Sequence, residues 1–154
     1  MGRRGIAFAQ RAEGEEPRKE TLVYLADTMG EMAHWYHVCP VTIIGGSFVP
    51  LGGHTPVEPI CMGSMVLHGP SIENHETAFE ILHKTQAAIC VPDAEAIFNF
   101  LTRLPKTAEL QARVKEGAKQ LDIHEKKMDQ RTRDIVATIL SEVQENLAPT
   151  ADRR

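Results

Sequence analysis

The chain has 154 residues, of which 42% are hydrophobic and 25% are charged, and its formal net charge is −4. These values are typical of one soluble globular domain, and no apolar run approaches the roughly 20 residues that a membrane-spanning helix requires. Between Thr21 and Leu101 the sequence has one basic residue, Lys84, and eight acidic ones, which excludes a nucleic-acid groove with its clustered Lys and Arg.

Short β-rich runs alternate with longer helical patterns along the first two thirds of the chain. The predicted strands are residues 5–9, 22–26, 41–44, 65–68 and 88–91. The predicted helices are residues 30–38, 57–62, 72–85 and 94–103, the last one beginning after Asp93 as its N-cap. This alternation predicts an α/β fold, with a Rossmann-like parallel sheet and helices on both of its faces.

After Pro105 the pattern becomes helical throughout. Two further helices are predicted, at residues 108–121 and 124–146. One face of the second helix carries Ile135, Ile139, Leu140, Val143 and Leu147. We expect the helices of residues 106–147 to pack on a domain formed by residues 1–105, and residues 148–154 to be a flexible tail.

The three cysteines, Cys39, Cys61 and Cys90, are widely spaced and form no Cys-x-x-Cys pair. An odd number of dispersed thiols favours reduced, packed side chains over a disulfide framework or a zinc site. We therefore expect all three in the core. The N-terminus has a short basic start without the apolar segment of a secretory signal, so we expect a cytoplasmic protein.

Three turns between a predicted strand and a helix stand out, at residues 26–32, 45–59 and 68–76. They read ADTMGEM, GGSFVPLGGHTPVEP and HGPSIENHE. Because ligands of open parallel sheets bind at the carboxyl ends of the strands, the turns would share one ligand-binding edge. Glycine exposes backbone N–H groups there, so an anion can be held without lysine. Glu58 suits two roles, either a favourable interaction with a helix dipole or acceptance of hydrogen bonds from a sugar.

The ordered series DTMGEM, GGS, GGH-x-P-x-EP and GP resembles the donor-binding half of the Kdo transferases, over roughly residues 5–113. These enzymes of lipopolysaccharide biosynthesis transfer 3-deoxy-D-manno-octulosonic acid (Kdo) from CMP-Kdo to lipid A precursors in Gram-negative bacteria. The resemblance implies a glycosyltransferase of the two-domain GT-B type at the cytoplasmic face of the inner membrane. Its donor is CMP-Kdo, its acceptor is the lipid A precursor, and it uses no cofactor or metal.

By this resemblance, two turns contact the CMP moiety, and Glu58 is the ribose ligand. The implied contacts are Met29, Gly30 and Glu31 in the first turn, and Thr55, Pro56, Val57 and Glu58 in the second. The implied supporting residues are Gly45, Gly46, Ser47, Gly53 and His54. Gly45 and Gly46 would let the chain turn tightly, and Gly52 with Gly53 would bring the backbone close to the nucleotide.

The sequence also departs from the family pattern. Thr55 replaces an asparagine and therefore keeps a hydroxyl but loses an amide. The chain begins after the family's Pro-Arg-His-Pro-Glu-Arg strand end and after the N-terminal domain that carries the general base and the membrane anchor. We therefore expect no catalytic residue here, and an isolated chain that is inactive. In a sheet of order 3-2-1-4-5-6 the strands at residues 5–9 and 41–44 would lose their common neighbour, so we expect marginal stability.

Two other interpretations remain open. The chain could be a non-catalytic remnant or interaction domain that keeps the fold without binding a nucleotide. It could also bind a metal, because His34 and His37 are three residues apart on one predicted helix face, with His54 and His68 on nearby turns. A half-buried helix face is the commoner meaning of that histidine spacing, and Trp35 with Tyr36 is more typical of packing than of a stacking platform.

Overall fold

The structure is a computed structural model, which describes residues 5–147 and the side chains of residues 5–141. All five predicted strands are present, as β1 (Phe8–Gln10), β2 (Val23–Leu25), β3 (Val41–Ile44), β4 (Met65–His68) and β5 (Ala88–Cys90). The helices are α1 (Met32–Val38), α2 (Val57–Cys61), α3 (Glu76–Lys84), α4 (Ala94–Thr102) and α5 (Thr107–Leu147). Short 3-10 turns at Gly45–Ser47 and Glu73–His75 precede α2 and α3, and the second explains why α3 begins later than predicted.

The strands form two parallel sheets, which confirms the predicted α/β class. One sheet pairs β1 with β2, and the other has the order β3-β4-β5. As expected, β1 and β3 do not share a sheet. The helices that connect parallel strands cover the sheet faces, and Asp93 caps α4 as predicted, because its carboxylate accepts a hydrogen bond of 2.8 Å from the N–H of Ala96.

The two strand edges that the sequence predicts to be open differ from each other. Met65 N donates to Pro40 O at 3.0 Å, so the backbone groups of β3 that face β4 are those of every second residue counted from Pro40. The N–H and C=O groups of Val41 and Ile43 therefore point away from β4. On β1 the corresponding residue is Gln10, and its outward backbone groups are already hydrogen-bonded within the loop that follows the strand. Its N–H donates to the Glu15 carboxylate at 2.9 Å, and its carbonyl accepts from Glu15 N at 3.2 Å. The edge of β3 is therefore the more open of the two.

The hydrophobic core is centred on β4, which is buried along its whole length. Both faces of this central strand must be covered, and three helices supply the apolar side chains. The core includes Ile60 of α2, Phe79 and Leu82 of α3, and Leu110 and Val114 of α5. By contrast, Ala9 is the one buried residue within residues 5–43. The β1–β2–α1 unit thus contributes almost nothing to the core.

The prediction of two C-terminal helices, at residues 108–121 and 124–146, is wrong, because α5 is a single helix of 41 residues. Neither Pro nor Gly stands between the two predicted segments, and Asp122 and Lys126 form an i,i+4 ion pair of 2.7 Å across the expected break. Long as α5 is, no helix within residues 5–147 is apolar enough to cross a membrane. The predicted tail, residues 148–154, lies outside the described residues.

The prediction that the three cysteines lie in the core is also wrong, because Cys39, Cys61 and Cys90 are all exposed. Each of them lies at the end of a short element. Cys39 directly follows α1, while Cys61 ends α2 and Cys90 ends β5. Burial in this fold is concentrated on β4 and the side chains that pack on it, and none of the three cysteines belongs to that cluster.

Candidate functional site

The second and third turns follow β3 and β4, and they are joined through the buried side chain of Ser47. Its hydroxyl donates to Ile44 O at 2.5 Å and accepts from Gly69 N at 2.7 Å. Its carbonyl accepts from Ser71 N at 2.9 Å. Ser47 therefore fixes the end of β3 against the end of β4, and the two turns form one rigid edge.

The second pair of glycines extends this connection. Gly52 N donates to Ser71 Oγ at 2.9 Å, and Gly52 O accepts from Asn74 N at 3.2 Å. Gly53 has a φ of +70°, and a Cβ at this position would lie 2.9 Å from Ser71 O. Glycine is required there both by the left-handed backbone and by the close approach of the third turn. His54 packs its ring against Gly46.

The interlocked turns leave a cavity of about 480 Å³ at their surface. Its lining residues are Pro50, Leu51, Gly52, Ser71, Glu73 and Asn74. A hydroxyl, an amide and a carboxylate are combined here, which suits a ligand rich in hydroxyl groups. Sequence reasoning singled out the HGPSIEN turn but not these side chains. The signal that could have identified them was their position directly after β4, facing the second Gly-Gly pair.

The first turn, after β2, is built around a bidentate ion pair between Arg11 and Glu31. Arg11 Nη2 donates to Glu31 Oε1 at 2.8 Å and Arg11 Nε donates to Oε2 at 3.2 Å. Thr28 donates a further hydrogen bond to Glu31 Oε2. These hydrogen bonds, of which the one from Arg11 has the largest effect, lower the pKa of Glu31 to about 2. The carboxylate is therefore ionised at neutral pH and oriented.

Arg11 is the residue of this turn that sequence reasoning missed. It directly follows β1, and Asp27 of the turn after β2 anchors the same loop by accepting from Ala12 N at 2.9 Å and from Gln10 Nε2 at 2.6 Å. The backbone hydrogen bond from Ala12 is the main cause of the lowered pKa of Asp27. The detectable signal was a basic residue immediately after a strand, at the edge where the turns cluster.

The Thr55–Glu58 group begins α2. Thr55 Oγ1 accepts from Val57 N at 3.3 Å, Pro56 is buried, and Glu58 is exposed in the first turn of the helix. Helices α1 and α2 pack against each other. Burial and then the charge of Glu58 raise the pKa of Tyr36, a residue of α1. The structure thus places Glu31 at the N-cap of α1 and Glu58 in the first turn of the adjacent α2.

The remaining predicted contacts are exposed. Met29 is 97% exposed, and Gly30 has a φ of +83°, so the DTMGE loop presents its backbone outward. Gly45 has open space around its Cα, whereas Gly46 contacts His54. The two turns that carry the predicted CMP contacts are therefore accessible to a ligand from outside.

His68 and His83 form a pair near the carboxyl end of β4, and the sequence did not predict that they would be in contact. His68 ends β4, is buried, and contacts Gly69 O through Nδ1 at 2.6 Å and His83 Nε2 through its own Nε2 at 2.8 Å. Burial lowers the pKa of both imidazoles. The simplest arrangement has His68 donating to Gly69 O and accepting from His83, with both rings neutral.

Neither the metal nor the stacking interpretation gains support from these contacts. Within residues 5–147 no group of three His, Cys, Asp or Glu side chains is arranged to hold a metal ion. Trp35 packs its ring edge-to-face on Tyr24, with a centroid distance of 5.6 Å, and on His34 at 5.1 Å. These aromatic rings pack the β1–β2–α1 unit together.

Comparison with known proteins gives no matching protein-family model, but several related sequences. A 3-deoxy-D-manno-octulosonic acid transferase of Bordetella pertussis is 37% identical over 101 residues, which are 65% of this chain and 24% of that protein. The transferase of Haemophilus influenzae is 28% identical over 134 residues, 86% of this chain and 31% of that protein. The transferase of Aquifex aeolicus is 30% identical over 115 residues, 75% of this chain and 30% of that protein.

A solved structure matches as well. The C-terminal CMP-Kdo binding domain of WaaA from Acinetobacter baumannii has a TM-score of 0.66 and 29% identity, covering 73% of this chain and 61% of that chain. Both have a parallel α/β fold. The chain belongs to the Kdo transferase family and corresponds to its C-terminal part. It spans between 24% and 31% of the length of these curated relatives.

Proposed function

We propose that the chain binds the cytidine nucleotide of CMP-Kdo and forms the donor-binding part of an enzyme that glycosylates lipid A precursor in lipopolysaccharide biosynthesis. The observation that carries this proposal is the similarity to a CMP-Kdo binding domain at 29% identity over 73% of the chain. The turns that carry the resemblance lie after β2, β3 and β4, at the carboxyl ends where parallel sheets bind ligands. The complete enzyme would have the GT-B architecture and act at the cytoplasmic face of the inner membrane.

The proposed nucleotide contacts come from the first two turns. The exposed backbone at Met29 and Gly30 and the N–H of Thr55 are offered to the nucleotide, while Pro56, which has no N–H, and Val57, whose N–H donates to Thr55 Oγ1, shape the start of α2 beside it. The Glu58 carboxylate accepts hydrogen bonds from the paired hydroxyls of the ribose. Glu31, held ionised by Arg11, acts as the second carboxylate of the site.

The electrostatic balance of this site depends on the β1–β2 sheet. The turns themselves have no lysine or arginine, whereas Arg11 reaches the first turn from the end of β1. A guanidinium held at that edge offsets the charge of Glu31 and can favour a phosphate nearby. The supporting residues Gly45, Gly46, Ser47, Gly53 and His54 fix the second turn without touching the ligand.

We further propose that the chain alone does not catalyse transfer. Displacement at the anomeric carbon of Kdo needs a general base to activate the acceptor hydroxyl, and the family resemblance assigns that base to an N-terminal domain. The contribution of the donor site is to position CMP-Kdo and to stabilise the charge that develops on the departing phosphate. The test is a transfer assay with CMP-Kdo and lipid A precursor, for which we expect no product from this chain.

The binding proposal is tested by isothermal titration of the chain with CMP. We expect binding in the millimolar range or tighter, weakened by Glu58→Gln because the neutral amide is a poorer acceptor for ribose hydroxyls. Glu76→Gln is the matched control, since Glu76 is also an exposed acidic residue in the first turn of a helix. Absence of heat at millimolar CMP would favour the non-catalytic remnant.

A further inference from the structure

The C-terminal half of α5 has no partner within the described part of the chain. Leu110 and Val114 in the first half of the helix are buried in the core, but every residue from His124 to Ser141 is exposed. Residues 124–147 correspond to about 36 Å of helix that projects from the domain. Most helical stability in proteins comes from packing an apolar face, and this segment packs on nothing within the described part of the chain.

This projecting segment carries such an apolar face. Ile135, Val136, Ile139 and Leu140 are 53%, 50%, 53% and 57% exposed, and Met128 is 48% exposed. The four residues 135, 136, 139 and 140 occupy neighbouring positions on two successive helical turns. A contiguous apolar patch of this kind on a soluble domain indicates an interaction surface.

The charges of the same segment are divided between its two ends. Residues 124–133 contain Lys126, Lys127, Arg131 and Arg133 against Glu125 and Asp129, which is four positive minus two negative and gives +2. Residues 134–147 contain Asp134, Glu142 and Glu145 and no basic residue, which gives −3. The apolar patch lies between the basic residues 124–133 and the acidic residues Glu142 and Glu145. Such a segment is complementary to itself when turned end for end.

We propose that the projecting half of α5 is a self-association surface, on which a second copy of the chain docks in antiparallel orientation. A two-fold axis through the middle of the patch, near residues 137 and 138, brings Ile135, Val136, Ile139 and Leu140 against the same residues of the second copy. About this axis, residues 128–133 of each helix lie beside residues 142–147 of the other, which brings the positions of Arg131 and Arg133 beside those of Glu142 and Glu145. A parallel arrangement would instead place like charges together along the whole segment.

The antiparallel arrangement also fits the shape of the chain. The first half of α5 packs on α2, α3 and β4, so each α/β domain lies beyond the basic end of its own projecting segment. Turning the second copy end for end places the two domains at opposite ends of the helix pair. A parallel pair would bring both domains to the same end, where they would compete for space.

The first experiment measures the molar mass of the whole chain in solution over a range of concentrations, by sedimentation equilibrium. We expect a monomer–dimer equilibrium that Ile139→Asp weakens by about 100-fold, because the substitution places a charge at the centre of the apolar contact in both copies. Ser141→Asp is the matched control, since it adds the same charge to an exposed position on the opposite face of the same turns. Circular dichroism verifies that both variants keep their helix content.

The second experiment tests the orientation by reversing charges. Arg131→Glu with Arg133→Glu makes both ends of the segment acidic, and we expect it to weaken the dimer by tenfold or more at low salt. Adding Glu142→Lys and Glu145→Lys should restore the dimer, since the ends become complementary again. Three results would overturn the proposal. The chain could stay monomeric at all concentrations, Ile139→Asp could leave the dimer intact, or the variant with all four charge substitutions could fail to restore association. Binding of a monomer to anionic vesicles would overturn it too.

Discussion

The buried hydroxyl of Ser47 provides a sharp test of how the second and third turns are held together. In Ser47→Ala the N–H of Gly69 and the carbonyl of Ile44 each lose a hydrogen bond inside the protein, of 2.7 Å and 2.5 Å respectively. A buried backbone group left without a partner costs about 1–3 kcal/mol. With two groups affected, we expect the free energy of unfolding to fall by about 2–4 kcal/mol.

The matched control for this substitution is Ser64→Ala. Ser64 is as fully buried as Ser47, but its hydroxyl bonds at 2.8 Å to the hydroxyl of Thr42, which is partly exposed and can turn to water. We expect this change to cost about 1 kcal/mol. Urea unfolding followed by circular dichroism measures both variants, and thermal unfolding should show a decrease of about 5–12 °C for Ser47→Ala. Equal losses for the two variants would refute the role assigned to Ser47.

Three further predictions concern the turns, the histidine pair and the first sheet. Gly53→Ala should destabilise the chain by about 1–3 kcal/mol, because its φ is +70° and its Cβ would meet Ser71 O, whereas Gly45→Ala, with open space and no positive φ, should be nearly neutral in the same urea titration. Since burial lowers the pKa of His68 and His83, the stability that these neutral rings contribute is complete above about pH 6.5 and is lost as pH falls toward the lowered values. Urea midpoints should therefore decrease between neutral and mildly acidic pH, and His83→Asn should flatten that decrease; a decrease that His83→Asn leaves unchanged would exclude the pair as its cause. Hydrogen exchange should be fastest in β1, β2 and α1, which share a single buried residue, and protection there equal to that of β4 would contradict the separation of the two sheets.

The strands and their order along the chain were predictable because short apolar runs between turn residues are a strong local signal. Met65–His68 is buried on both faces, and the apolar run of its first three residues is the usual pattern of a central parallel strand. The Asp93 cap of α4 was predictable for the same reason, because capping depends on residues within one turn. Local sequence patterns were therefore sufficient to predict the fold class.

Features that depend on contacts between distant segments were not predictable. The ion pair of Arg11 with Glu31 joins residues 20 positions apart, and the contact of His68 with His83 depends on how α3 lies against β4. Exposure of Cys61 and Cys90 also depends on which side chains pack around β4, and neither cysteine is among them. The continuity of α5 was missed because the apolar periodicity weakens near Asp122, although the chain has no helix-breaking residue there.

The most direct test of the proposed nucleotide site is a titration of the isotopically labelled chain with CMP, followed by amide chemical shifts. We expect saturable shifts at Gly30, Glu31, Val57 and Glu58, at the ends of α1 and α2, with small changes in the projecting half of α5. Equal additions of UMP serve as the specificity control and should produce weaker shifts. If CMP leaves these four amides unchanged at millimolar concentration, or shifts residues on the opposite edge of the sheets, the proposed donor site is contradicted.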